Sequence, residues 1–142
     1  MVKKALVLGS ALFLLCGVSG CGGDSHDKLI KEMIEVLDNA SAAMAKIKGD
    51  SKENKTSKET MNDVVGTLRK AGKKFKRLTH ESEALGERLS TEEKARLDKE
   101  YREKFREAEA NASKQWDRIK KIKGVKKELE DRKALEDFGY IR

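Results

Sequence analysis

The chain has 142 residues with no proline, 40% charged side chains and a formal net charge of +7. Its abundance of Lys, Arg, Glu, Ala and Leu, with few aromatic residues, is typical of long helices or coiled coils. Two cysteines are too few for a framework of several disulfides, and His26 and His80 are too far apart in the chain for the usual spacing of two histidines in a zinc site.

The N-terminal segment has the pattern of an export signal. Lys3 and Lys4 precede an apolar run over residues 5–17, which is too short for a comfortable transmembrane span. The run ends in Val18-Ser19-Gly20-Cys21, and this motif resembles the lipobox of bacterial lipoproteins. The resemblance implies that the thiol of Cys21 is diacylglycerylated and that the chain is cleaved in front of it.

The domain boundaries follow from this resemblance. Residues 1–20 are predicted to be a cleaved signal peptide, and residues 21–24 a lipidated tether. Cys16 has Leu15 before it, where a small residue is needed, so Cys16 is expected to leave with the signal peptide and no intrachain disulfide can then form. The resemblance also implies a cell-envelope location, with the outer membrane favoured because Gly22, and not Asp, follows the modified cysteine. The alternative is an uncleaved N-terminal anchor.

Hydrophobic periodicity predicts the first helix over about residues 25–48. Its apolar residues alternate at spacings of three and four, as in a coiled-coil seam: Ile30, Met33, Leu37, Ala40, Met44 and Ile47. Residues 49–57 are polar, without periodicity, and predict a loop.

A second helix is predicted over about residues 57–85, with Thr56 and Glu59 at the spacing of a capping box. Its stripe has the same alternation: Met61, Val64, Leu68, Ala71, Phe75, Leu78, Ser82 and Leu85. Gly66 and Gly72 weaken this helix unless they permit the close approach of a neighbouring segment.

The third helix, over about residues 91–123, has the clearest start in the chain, because Ser90 and Glu93 form a second capping box. Its stripe has a period near 3.6 residues: Leu97, Tyr101, Phe105, Ala108, Ala112, Trp116, Ile119 and Ile122. Residues 125–138 can form a short fourth helix, and residues 139–142 are predicted to fray.

These elements predict an all-α fold, an up-down-up three-helix bundle with room for a short C-terminal fourth helix. Amphipathic helices joined by short connections bury their apolar stripes against antiparallel neighbours. An oligomerising coiled-coil hairpin is the alternative, because long seams can also pair between chains.

Candidate catalytic and metal-binding residues are scarce. His26 and His80 do not form a metal-binding spacing on one helix, and each is predicted to be exposed or to cap a helix. The carboxylates alternate with Lys and Arg, which is typical of a solvated helix face. We therefore expect no enzymatic activity, no metal and no cofactor.

The charge is distributed unevenly in two places. The first is a basic face on the second helix, formed by Arg69, Lys70, Lys73, Lys74, Lys76 and Arg77. A second cluster follows at Arg118, Lys120, Lys121, Lys123, Lys126 and Lys127. Basic patches can bind anionic lipid headgroups or acidic polymers, or they can simply be solvated. Export argues against nucleic acid as a partner.

The chain as a whole resembles the small helical lipoproteins of bacterial envelopes that have no assigned activity. The resemblance implies a membrane partner, reached through the lipid on Cys21, and a helical scaffold or interaction domain that contacts an unidentified envelope protein or polymer. The alternative function is a periplasmic module that is chaperone-like or that binds polyanions or anionic lipids, through its basic helix faces.

Overall fold

The computed structural model describes residues 23–138, with side chains from residue 26 onward. The predicted signal peptide, Cys21 with the first part of its tether, and the tail 139–142 lie outside the described residues. The described elements are α1 (Gly23–Ala45), α2 (Lys58–Gly86), α3 (Thr91–Ile119), α4 (Val125–Asp131) and a 3-10 helix (Glu136–Phe138). The predicted all-α fold, with three long helices and a short fourth one, is confirmed.

Helix α1 packs against both α2 and α3, and contacts at its two ends give the directions of the helices. His26, near the start of α1, contacts Ser82 near the end of α2. Lys46, just after α1, pairs with Asp63 near the start of α2, so α2 is antiparallel to α1. Near its own start, α3 is tied to the start of α1 by an ion pair. The order is therefore up-down-up.

Two ends of the bundle follow from these directions. We call the end that contains the start of α1, the end of α2 and the start of α3 the proximal end, because it is the one nearest to Cys21 along the chain. The distal end contains the end of α1, the start of α2 and the end of α3. The 23 residues of α1 separate the two ends by about 35 Å, at 1.5 Å per residue.

The predicted stripes fill the core. All six stripe residues of α1 are buried, as are most of those on α2 and α3. Ala71, Leu85 and Trp116 are partly buried and pack at the margin of the same core. Burial of each large aliphatic or aromatic side chain contributes about 1.5–3 kcal/mol, so these seams hold the bundle together. The apolar surfaces that could pair between chains are covered within one chain.

The connection between α1 and α2 differs from the prediction. Helix α1 ends at Ala45, and the N-cap of α2 is Ser57, whose hydroxyl accepts a hydrogen bond from the Thr60 N–H. Thr56 was predicted to be the cap, but its Oγ1 instead accepts from the Lys48 N–H at 2.8 Å and donates to the Lys48 carbonyl at 3.0 Å. The local pattern assigned the Thr56 hydroxyl to the N-cap of α2, but this hydroxyl bonds to the backbone of Lys48 instead.

Helix α3 begins with the predicted capping box, in which Ser90 and Glu93 each bond to the backbone of the other. It ends at Ile119 and not at residue 123. Beyond that point the Lys123 N–H donates to the Asp50 carbonyl at 3.0 Å, so a contact with the α1–α2 connection replaces the helical hydrogen bond.

Residues 125–138 do not form one helix. The chain leaves α4 after Asp131 and passes through Lys133, whose φ of 52° lies in the left-handed region. At 100° per residue, a continuous helix would place Phe138 on nearly the opposite side from Val125. The turn at Lys133 interrupts the helical rotation, so the side chains of Val125 and Phe138 are both buried in the same core.

Candidate interaction surfaces

The basic face predicted on α2 lies mainly at the surface. Lys74 is half-buried, and the other members are exposed: Arg69, Lys70, Lys73, Lys76 and Arg77. Because the face lies in the middle and second half of α2, it flanks the first half of α1.

Half of this basic face is paired with carboxylates. The Nζ atom of Lys74 lies 3.4 Å from Oε2 of Glu32 in α1. The Nζ atom of Lys76 lies 3.6 Å from Oδ1 of Asp137 in the 3-10 helix. Arg77 pairs with Glu81 one turn further along α2, at 3.7 Å. These pairs are solvent-accessible and stabilise the fold only slightly, but they reduce the positive charge that a ligand would meet.

Arg69, Lys70 and Lys73 make no ion pair within 4 Å among residues 26–138. On a helix these three positions lie within an arc of about 100°. The part of the basic face that remains open to an anionic partner is therefore a narrow strip on the outer side of α2.

The second basic cluster includes a structural arginine. Arg118 donates hydrogen bonds to the carbonyl oxygens of Met44 and Ile47, each at 2.9 Å. These carbonyls lie at the end of α1, where backbone acceptors lack a helical partner. Arg118 therefore caps α1 from α3 and holds the two helices together at the distal end.

Several lysines of this cluster are also paired. Lys120 bonds to Asp117, Lys126 to Glu130, and Lys127 to Asp131. Lys121 and Lys123 are exposed and make no ion pair within 4 Å among the described side chains.

A groove of about 580 Å³ between α1 and α3 contains a polar cluster that the sequence analysis missed. Arg96 forms a two-pronged contact with Asp27, at 2.9 and 3.4 Å, and also bonds to Glu100 at 3.1 Å. The hydrogen bond from Arg96 lowers the pKa of the Asp27 carboxyl group. The buried Tyr101 hydroxyl also bonds to Asp27, and burial raises the pKa of this phenol.

This cluster joins the starts of α1 and α3. Its residues are separated by some 70 positions in the chain, so no local pattern links them. The lowered pKa of Asp27 keeps its carboxyl group ionised, and the raised pKa of Tyr101 keeps its phenol protonated. These contacts hold α1 to α3. The Asp27 carboxyl does not have the near-neutral pKa that suits proton transfer.

His26 was predicted to be exposed or to cap a helix, and that prediction was wrong. Its side chain is 2% exposed, and its Nε2 lies 3.2 Å from the buried Ser82 hydroxyl. A signal for this burial was present, because His26 precedes Ile30 by four residues and so extends the α1 stripe by one step. His80 is exposed at the surface of α2.

The His26–Ser82 contact resembles half of a nucleophile–base pair, but its surroundings differ. A catalytic imidazole is oriented by a third group at its other nitrogen, whereas His26 Nδ1 has no hydrogen-bond partner among the described residues. Both side chains lie in the core. The pair joins α1 to α2 within the bundle.

Two further observations concern the described residues. Between residues 23 and 138, no helix combines the length and hydrophobicity needed to cross a bilayer. In the same part of the chain, no three His, Cys, Asp or Glu side chains are grouped closely enough to hold a metal ion.

Comparison with known proteins gives no match, neither to a protein-family model, nor to a curated protein, nor to a solved structure.

Proposed function

We propose that this chain is a lipid-anchored protein of the bacterial envelope, with a non-enzymatic helical domain that acts as a scaffold or interaction module. The observation that carries the proposal is the lipobox-like sequence Val18-Ser19-Gly20-Cys21. The start of α1 at Gly23 agrees with it, because two residues of chain span about 7 Å at most. A lipid on Cys21 would therefore hold the proximal end of the bundle against the membrane surface.

The chemistry of the anchor explains how a domain without an apolar exterior stays at a membrane. Each buried CH₂ group of an acyl chain contributes about 0.8 kcal/mol, and two or more chains make the attachment lasting. Because Gly22 follows the cysteine, we favour the outer membrane, with the bundle facing the periplasm.

The charged surface supports the non-enzymatic part of the proposal. Arg96 pairs with Glu100 and Arg102 with Asp98, each one helical turn apart. Such pairs stabilise an exposed helix by a few tenths of a kcal/mol. They account for the abundant carboxylates without assigning them a catalytic role.

The intact mass of the detergent-extracted protein tests this function, with the Cys21→Ser variant as the comparison. We expect a mass that corresponds to a chain starting at Cys21 plus acyl groups, and loss of both features in the variant. An unmodified wild-type chain would contradict the proposal and remove the reason to place the protein in the envelope.

A second candidate function is a chaperone-like or anionic-surface-binding module that uses the basic face of α2. The specific observation in its favour is the strip of exposed, unpaired cations at Arg69, Lys70 and Lys73. Each basic residue near an anionic bilayer contributes about 1 kcal/mol to binding.

Vesicle sedimentation tests this candidate, with all proteins carrying Cys21→Ser so that no acyl chain inserts into the vesicle. The double variant Lys70→Gln/Lys73→Gln should bind vesicles of anionic lipid several-fold more weakly than the wild type. The matched double variant Lys99→Gln/Arg106→Gln removes the same charge from exposed positions on α3 and should bind as the wild type does. Equal binding by all three proteins would rule out the basic face as the binding surface.

A further inference from the structure

The positive charge of the described chain is concentrated at the distal end. Residues 46–58 and 118–127, at this end, contain eleven Lys and Arg side chains and two carboxylates. Four of these lysines pair with carboxylates just outside the two ranges, which leaves an excess of positive charge. Residues 26–31 and 79–96, at the proximal end, contain five Lys and Arg and six carboxylates. The bundle is thus strongly basic at one end and nearly neutral at the other.

Two segments that are distant in the chain meet at the distal end. The Lys123 N–H donates to the Asp50 carbonyl at 3.0 Å. The backbone of Gly49 approaches Ile122 so closely that a Cβ at this glycine would lie 2.9 Å from the Ile122 side chain. The turn after α3 therefore rests directly on the connection between α1 and α2.

The α1–α2 connection is held by its own hydrogen bonds. Oδ1 of Asp50 accepts from the backbone N–H groups of Lys52 and Glu53, at 2.8 and 3.0 Å. The Lys55 N–H donates to the Lys48 carbonyl at 2.9 Å. The lysines of this segment thus project from a fixed backbone, although the sequence has the polar, aperiodic character of an ordinary loop.

Five of the exposed lysines gathered here form what we call the basic tip: Lys48, Lys52, Lys55, Lys121 and Lys123. None of them has an ion pair within 4 Å among residues 26–138, in contrast to their neighbours Lys46, Lys120, Lys126 and Lys127. The nearby Asp50 carboxylate accepts hydrogen bonds from backbone N–H groups and makes no ion pair within 4 Å with a described lysine, although its charge interacts with that of Lys55.

We infer that the basic tip is a binding surface for a linear polyanion, a flexible polymer with repeated phosphate or carboxylate groups. Lysine ammonium groups act as separate point charges on flexible stems, which suits a chain of anions better than one rigid ligand. Neither of the two segments contains an aromatic residue, and Trp116, at the end of α3, packs against the core, so the basic tip itself offers no aromatic ring on which nucleobases could stack.

The position of the tip favours a polymer over the lipid headgroups beside the anchor. The tip lies about 35 Å from the proximal end, several times the Debye length of about 8 Å at physiological salt. This argument on position rests on the proposed anchor at Cys21. Binding of a polymer in solution does not, so the two proposals can fail separately.

Binding of the full chain in detergent to fluorescent polyphosphate and to polyglutamate, at about 0.1 M salt, tests the inference. The tip variant Lys52→Gln/Lys121→Gln/Lys123→Gln should lose at least about tenfold in affinity for the polymer that the wild type binds. The control variant Lys28→Gln/Lys99→Gln/Arg106→Gln removes the same net charge from exposed positions away from the tip and should change the affinity less than about twofold. Preference for one polymer identifies the anion.

Three results would overturn the inference. The first is that the wild type binds neither polymer nor anionic vesicles, and the second is that the tip and control variants lose affinity equally, which would indicate a response to net charge alone. The third is tip-dependent binding to anionic vesicles without binding to either polymer, which would assign the surface to a membrane. Unchanged unfolding curves for both variants keep a folding defect from being mistaken for lost binding.

Discussion

His26 places an imidazole in the core of the proximal end, where one ring nitrogen meets the Ser82 hydroxyl and the other has no hydrogen-bond partner between residues 26 and 138. A buried polar atom without a hydrogen bond costs about 1–3 kcal/mol. Burial also lowers the pKa of His26 below its usual 6.5, an effect that the adjacent charge of Asp27 only partly opposes. The folded state therefore favours the neutral ring.

This pKa shift predicts a loss of stability in mild acid. As the pH falls below about 6.5, the unfolded chain takes up a proton at this histidine while the folded chain resists it, so the free energy of unfolding decreases. The His26→Gln variant should lose less stability than the wild type between about pH 7.5 and pH 5.5, as measured by urea unfolding.

His80→Gln provides the control, because His80 is exposed on α2 and this variant should keep the pH dependence of the wild type. If His26→Gln and His80→Gln have the same pH profile, then His26 does not govern the acid response.

At the scale of the helix, two glycines of α2 that look equivalent in the sequence have different surroundings. A Cβ added at Gly66 would meet nothing within 4 Å. At Gly72 it would lie 3.1 Å from Asp137 and 3.3 Å from the Phe138 ring. Gly72 thus lets the C-terminal 3-10 helix lie against α2. There the ring centroids of Phe138 and Phe75 are 5.7 Å apart.

The two glycines therefore respond differently to alanine. Gly66→Ala should raise the free energy of unfolding by up to about 1 kcal/mol, because alanine has the better helix propensity and no neighbour is disturbed. Gly72→Ala has the same propensity gain, but Phe138 must move, so its net effect should be clearly smaller or destabilising.

Urea unfolding of the two single variants measures this difference. Equal stabilisation by both alanines would mean that the 3-10 helix does not pack closely on α2.

For the whole molecule, the arrangement of charge is the feature that neither a residue nor a helix reveals. The cations of the basic tip are held near one another by the fold and make no ion pair within 4 Å among residues 26–138. Their mutual repulsion opposes the compact state and is screened by salt. The positive charge of the basic tip therefore lowers the stability of the folded protein.

Neutralising part of the tip should therefore stabilise the protein at low salt. We expect Lys52→Gln/Lys121→Gln to raise the thermal unfolding midpoint, and the gain should disappear near about 0.5 M NaCl. The matched proximal variant Lys28→Gln/Lys94→Gln removes the same charge where carboxylates are plentiful, so it should leave the midpoint unchanged or lower it. A gain that persists in high salt would exclude repulsion as its cause.

The sequence by itself was sufficient for the three long helices and for the start of α3. Stripes such as Ile30–Met33–Leu37 repeat within a few residues, and the Ser90–Glu93 capping box is complete within one turn. These signals are local, and a helix satisfies its own backbone hydrogen bonds, so local information determines it.

Only the tertiary structure decided which side chains meet across the bundle. It showed that Thr56 bonds to Lys48 and does not cap α2, that His26 is buried, and that Arg118 caps α1. It also brought the α1–α2 connection against the turn after α3 to form the basic tip. These partners are separated by eight to more than seventy residues. Helical periodicity indicates which face of each helix is buried, but it does not determine which distant groups that face will contact.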